Sequence, residues 1–208
     1  MLAPPTAQLD LAALLDTGYA RIPCSSIDEL RHVAGLLGAI ETHEILTART
    51  SRGPGDNSLS GRHGLAPLPP HTDGATHAVP PRWLAMRCAE GSDAATLLYD
   101  VQPVISQPEH AEALRRPWVV TPGGGRASFY APVLQHTPYG RWVRLNVACM
   151  TPTAFSHGDA LLRLLQGSLV EHRWRSDQAL IVSNWRFLHA RAAVHPAEHR
   201  QLERITVR

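Results

Sequence analysis

The chain has 208 residues, enough for one domain with a sizeable core. Its apolar share of 44% is ordinary for a globular protein, and its formal charge of +2 comes without a run of like charge, so no nucleic-acid-binding face is indicated. All 20 basic residues are Arg, which excludes Schiff-base chemistry on a lysine.

Residues 1–16 lack the basic and long apolar regions of a signal peptide. No stretch approaches the ~18 apolar residues of a membrane span, so no membrane partner is expected. Residues 7–16 carry Leu9, Leu11, Leu14 and Leu15 at helical spacing. Residues 18–23 read as a turn and a short strand. Cys24, Cys88 and Cys149 are odd in number and lack metal-ligand spacing; they read as small buried hydrophobes of a reduced, cytoplasmic protein. Ser26-Ile27-Asp28-Glu29 is a capping box that opens a helix through Leu30, Val33, Leu36 and Leu37 to Gly38. From Thr47 to Pro70 periodicity disappears, and a loop is predicted; loops of this length carry binding residues, with Asn57, Ser58 and Ser60 as candidates. Strands follow over 83–89 and 95–100, with a turn at Gly91-Ser92-Asp93 between them. Residues 108–116 read as a helix with Pro108 at its first position, and 118–120 as a strand. Gly123-Gly124-Gly125 is no phosphate loop, because no Lys-Ser/Thr follows. Residues 129–134 and 142–147 are expected to pair around Thr137-Pro138-Tyr139-Gly140. Ser156 is expected to cap a helix running to Leu169, with residues 179–182 and 200–207 as the last strands. Many short strands with Pro/Gly turns, and helices mostly early or inserted, predict a single sandwich or barrel domain over residues 1–208.

Two stretches carry chemistry. In Leu68-Pro69-Pro70-His71-Thr72-Asp73-Gly74, His71 and Asp73 are two apart, and on a strand such residues share a face. An imidazole and a carboxylate together form two ligands of a metal site that needs a third. A distant His would complete the facial triad of non-haem iron oxygenases. The second stretch is Asn184-Trp185-Arg186-Phe187-Leu188-His189-Ala190-Arg191. Arg200 and Arg204 follow His189 by eleven and fifteen positions, on one face of the last predicted strand. Two barrel-facing guanidiniums are costly without an anion, and Arg suits a carboxylate held by two bonds.

These stretches, with Pro80-Pro81-Arg82-Trp83-Leu84, Thr96-Leu97 and the run from Arg144 to Pro152, resemble the taurine dioxygenase and clavaminate synthase-like Fe(II)/2-oxoglutarate oxygenases, in order over residues 18–208. The resemblance implies a double-stranded β-helix, or jelly roll, mainly β with flanking helices. It implies Fe(II) held by His71, Asp73 and His189, with His189 at or just after a strand end. Arg200 would pair with the distal carboxylate of 2-oxoglutarate, with Thr96 adding a hydroxyl. Arg204 would contact cosubstrate or an anionic group of the substrate. The activity implied is O₂-dependent hydroxylation of a small amino-acid-like molecule or natural-product intermediate, with release of succinate and CO₂. The chain departs from the family in being short, and its Asp73 argues against the halogenase variant.

Other readings stay open beside this one. A jelly-roll protein could bind metal and 2-oxoglutarate without turnover. Arg200 could pair with Glu198 or Glu203, and Thr96 could serve packing alone. His32 and His172 are expected on helix surfaces, and His63, His77, His195 and His199 outside the site. Trp185 is expected in the core and Arg186 is a candidate to face substrate.

Overall fold

Asp10 accepts a hydrogen bond from the Ala13 N–H at 3.0 Å and starts helix α1 (Leu11–Thr17). The structure, a computed structural model, describes residues 9–48, 59–138, 140–153 and 169–208. The helix expected after Ser156, the loop residues Asn57 and Ser58, and Tyr139 of the turn lie outside them.

Strand β1 (Tyr19–Pro23) leads to α2 (Ile27–Leu37). The Glu29 N–H donates to the Ser26 hydroxyl at 3.2 Å, and the Glu29 carboxylate accepts from the Ser25 N–H at 2.7 Å. The box therefore closes one residue further back than the standard pattern. Strand β2 (Ile40–Thr47) has no counterpart in the sequence reading. It is an edge strand exposed on both faces from Ile40 to Ile45, so no apolar alternation marks it. The predicted loop contains a five-residue helix, α3 (Leu59–His63), and strand β3 (Leu68–His71). β3 carries Pro69 and Pro70, tolerated because it is also an edge strand.

β4 (Trp83–Cys88) and β5 (Ser92–Asp100) lie where expected, followed by α4 (Gln102–Ile105), α5 (Pro108–Leu114) and β6 (Pro117–Val120). A strand pair does flank residues 137–140, but it is formed by β8 (Leu134–Thr137) and β9 (Gly140–Val143) rather than by residues 129–134 and 142–147. The preceding β7 (Phe129–Pro132) pairs with β6 instead. After β10 (Met150–Pro152) comes β11 (Leu169–Trp174), so Leu169 and His172 are strand residues rather than helical ones. His172 is 1% exposed, against the surface expectation; its ring meets Trp174 edge-on at 4.4 Å. β12 (Gln178–Ser183), β13 (Phe187–Arg191) and β14 (Gln201–Val207) complete the chain.

Two sheets face each other as a jelly roll: β1-β12-β4-β14-β2 and β11-β5-β13-β3. All six residues of β4 are buried, because both faces are covered. Leu84, Met86 and Cys88 point inward, where they meet Leu98, Leu180, Val182, Phe187 and Leu202. Trp83 and Ala85 point outward against Leu14 of α1 and Leu30 and Val33 of α2. Each such fully buried side chain contributes about 1.5–3 kcal/mol. A third cluster, including Leu188, Leu114, Trp118 and Leu145, backs the smaller sheet. Among the described residues no helix is long and apolar enough to cross a membrane.

Candidate metal centre and anion site

The register of β3 on β13 sets His71 directly opposite His189. Opposed side chains of an antiparallel pair share a face, and the two imidazole rings lie 4.1 Å apart. His189 is the middle residue of the five-residue β13, which corrects the expectation of a strand end. Edge strand β3 stops at His71, so Asp73 is not held by a ladder and is braced by side chains instead. The Asp73 N–H donates to Asn184 Oδ1 at 2.9 Å, and Asn184 Nδ2 donates to the carbonyls of Asp73 at 3.0 Å and Pro81 at 2.8 Å. Thr72 turns the other way: its N–H donates to the Leu145 carbonyl at 2.7 Å and its hydroxyl to the Val143 carbonyl at 3.0 Å. Gly74 then takes φ +66°, where a Cβ would sit 2.7 Å from Pro81 Cδ. Buried Arg144 donates to the carbonyls of Ala75, His77 and Ala78 and so fixes the turn that follows.

The result returns Asp73 to the face of His71. Asp73 Oδ1 is 3.7 Å from His71 Nε2, and Oδ2 is 3.6 Å from His189 Nε2. One ligand atom from each of the three residues lies within 4.8 Å of the other two. The Pro69 carbonyl, 2.9 Å from His71 Nδ1, can only accept, so Nδ1 carries the proton and Nε2 is a free lone pair. Burial, reinforced by His189, lowers the His71 pKa to about 3, so the ring is neutral at pH 7. Burial alone would raise the Asp73 pKa; Arg204 and the two imidazoles outweigh it and hold the carboxyl well below the usual range. Two imidazoles and a carboxylate, converging in a buried site, are a donor set that fits Fe(II) with open positions left over.

The cluster opens into a cavity of about 300 Å³. Thr96, Arg200 and Arg204 line it, as does Ser60 of α3. Arg200 is 4% exposed, and its side chain has no hydrogen bond or ion pair to any described residue. It pairs with neither Glu198 nor Glu203, and Glu203 engages Arg87 at 3.0 Å. Burial lowers the Arg200 pKa, partly opposed by Cys88 and Glu198. Thr96 accepts a hydrogen bond from Trp174 Nε1 at 3.1 Å, which leaves its own hydroxyl proton to donate. Arg204 is already engaged, with Asp73 on one side and Glu44 of β2 on the other. Arg186 does not face the cavity. It binds Asp100, with Nη2 2.7 Å from Oδ2, and so corrects the expectation that it faces substrate. Trp185 is half-buried and donates to the Pro80 carbonyl at 2.9 Å. His77, His195 and His199 are exposed, and His63 is not among the cavity residues.

The sequence reading gave no role to Thr72, Asn184, Arg144 or Arg191. Arg191 was within its reach, since it lies two residues past His189 on β13 and also lines the cavity. The other three act through backbone groups far away in the chain, and no spacing rule reports that.

No protein-family model matches the chain, and no curated protein matches it in sequence. Solved structures do. An asparagine oxygenase in complex with Fe(II), (2S,3S)-3-hydroxyasparagine and succinate superposes with a TM-score of 0.74 at 20% identity, over 95% of this chain and 77% of that one. The non-haem iron oxygenase OrfP, in complex with Fe, succinate and (3R,4R)-dihydroxy-L-Arg, gives 0.73 at 16% identity, over 94% and 77%. PvcB, an Fe, α-ketoglutarate-dependent oxygenase from an isonitrile synthetic pathway, gives 0.64 at 17% identity, over 94% and 77%. In other structures of the asparagine oxygenase and OrfP, the chain spans only 61% and 63% of the neighbour's length. What these neighbours share with this protein at such identities is architecture: the chain folds as the iron- and α-ketoglutarate-dependent oxygenases do.

Proposed function

We propose that the chain is a single-domain, cytoplasmic Fe(II)- and 2-oxoglutarate-dependent dioxygenase that hydroxylates a C–H bond of a small, amino-acid-like molecule. One observation carries the reading: the His71, Asp73 and His189 donors and the unpaired guanidinium of Arg200 face one cavity. A metal site alone would not need a buried cation with no partner among the described residues. A dicarboxylate that ligates metal at one end and meets Arg200 at the other explains both.

In this reading His71 Nε2, His189 Nε2 and Asp73 hold Fe(II). Bound iron with 2-oxoglutarate supplies O₂ activation coupled to oxidative decarboxylation, giving succinate, CO₂ and hydroxylated substrate. The chain's own residues place and shield. Arg200 takes the distal carboxylate, and the Thr96 hydroxyl, fixed by Trp174, donates to it. Arg204 holds Asp73 ionised and limits its second oxygen, which favours one ligating oxygen. Asn184 and Thr72 fix the Asp73 backbone. Leu59, Leu68 and Met86 exclude water from the remaining wall. The neighbours that carry hydroxylated asparagine and arginine support a small amino acid as the substrate class.

The test is succinate release and O₂ consumption by the Fe(II)-loaded protein, with single amino acids as candidate substrates and His71→Ala as control. Metal-dependent succinate formation stimulated by one substrate is expected. Tight 2-oxoglutarate binding with no turnover on any candidate would favour the non-catalytic metal- and 2-oxoglutarate-binding reading.

A further inference from the structure

The cavity holds a third guanidinium, beside those of Arg200 and Arg204, that the reading above does not use. Arg191 is 5% exposed and lines the same cavity as Arg200. It stands directly across the ladder from Thr96. Its Nη2 donates to the carbonyls of Gly64 and Ala66, and its Nε is buried without a partner among the described residues. Two carbonyls supply dipoles but no charge. Arg191 and Arg200 are thus two buried cations facing one cavity. Two like charges buried in one cavity are costly until an anion lies between them.

The carbonyls that Arg191 holds belong to the turn joining α3 to β3, and the Val194 N–H donates to Leu65 of the same turn at 2.9 Å. α3 in turn brings Leu59 and Ser60 to the cavity wall. We propose that Arg191 is a second cationic partner of the dicarboxylate cosubstrate, and that the same guanidinium, by gripping the 64–66 turn, ties cosubstrate binding to the position of α3. The inference rests on the oxygenase reading. It adds a residue that senses the anion and a wall that responds to it, so the substrate side is set once the cosubstrate is in place.

The experiment uses the Mn(II)-loaded protein and 2-oxoglutarate as probe, with affinity from calorimetry and amide hydrogen exchange followed over residues 61–66. In the parent, the Gly64 and Ala66 amides, which donate to the Ser60 and His63 carbonyls of α3 at 2.8 and 2.9 Å, exchange more slowly once 2-oxoglutarate binds. Arg191→Gln is expected to weaken binding about tenfold or more and to abolish that protection. Arg191→Lys keeps the charge but not the planar fork. It should weaken binding less and still lose the protection. Parent-like affinity and protection in both variants overturn the proposal. If Arg191→Gln does not fold, parent-like protection in Arg191→Lys overturns it alone. Failure of the parent itself to bind 2-oxoglutarate with metal would instead remove the oxygenase reading. Parent binding that Arg200→Met abolishes, beside parent-like Arg191 variants, leaves that reading intact and removes only this inference.

Discussion

Arg200→Met is expected to move stability and cosubstrate affinity in opposite directions. Arg200 is 4% exposed, and its guanidinium has no hydrogen-bond or ion-pair partner among the described residues. The penalty for an unpaired buried ion is several kcal/mol, and replacing buried charge with a well-packed apolar group stabilises by about 1–4 kcal/mol. Met fills the space of the Arg stem with a flexible apolar chain. The protein free of metal and ligand should therefore gain stability, and in a domain of this size each kcal/mol raises Tm by about 2–4 °C. The ligand-bound state goes the other way. A desolvated carboxylate that loses its guanidinium loses about 2–5 kcal/mol, so the apparent 2-oxoglutarate constant should rise roughly 30-fold or more. Thermal denaturation with and without 2-oxoglutarate reads the first effect, and succinate release against 2-oxoglutarate at fixed Fe(II) reads the second. The parent should show a ligand-induced rise in Tm that the variant lacks. A variant that is less stable and titrates like the parent would refute the reasoning, because Arg200 would then be a satisfied structural cation.

Further outcomes follow from the same geometry. His71→Ala, Asp73→Ala and His189→Ala should each abolish Fe(II) binding by calorimetry and leave the fold intact, since the ligands line a barrel built by the core; retained binding in any of them removes that residue from the site. Asn184→Ala leaves the Asp73 N–H and carbonyl without their brace, a loss of about 1–3 kcal/mol, and should weaken metal binding about tenfold or more although Asn184 touches no metal; unchanged metal affinity would count against it. Arg204→Gln removes the cation that keeps Asp73 ionised, so metal affinity should begin to fall at a higher pH on acidification than in the parent; superimposable pH profiles would exclude that role. Burial, aided by Arg21, lowers the His172 pKa from 6.5 to about 4. Between those values the unfolded chain binds the extra proton, so this contribution is complete above pH 6.5 and is lost as pH falls towards 4, at up to ~1.4 kcal/mol per pH unit. Denaturation at pH 7 and pH 5 should show a smaller loss for His172→Phe than for the parent.

What could be read from the chain was whatever local periodicity and spacing encode. The Ser26 cap, the buried runs of β4, β5 and β12 and the Pro108 start are local chemistry, and each appears in the fold. The spacing rule anticipated that His71 with Asp73, and Arg200 with Leu202 and Arg204, would face one cavity, although Asp73 and Arg200 lie just outside the strands β3 and β14. Other features depend on what lies across space. β2 is exposed on both faces from Ile40 to Ile45 and pairs with β14 alone at the sheet edge, so its composition gives no alternation. His172 is buried because β11 packs its face against the barrel interior, and a single polar ring in a short strand does not announce that. Arg186 and Arg200 are the same residue type in neighbouring motifs; Asp100, distant in sequence, satisfies one, and the other stays unpaired among the described residues. Asp73 itself lies past the end of its strand and stands beside His71 because Asn184 and Thr72 hold its backbone there. The sequence by itself determined the ligand types and their spacing along the chain. The tertiary structure decided which charges remain uncompensated, because compensation depends on neighbours in space, and that imbalance in the cavity is what asks for an anion.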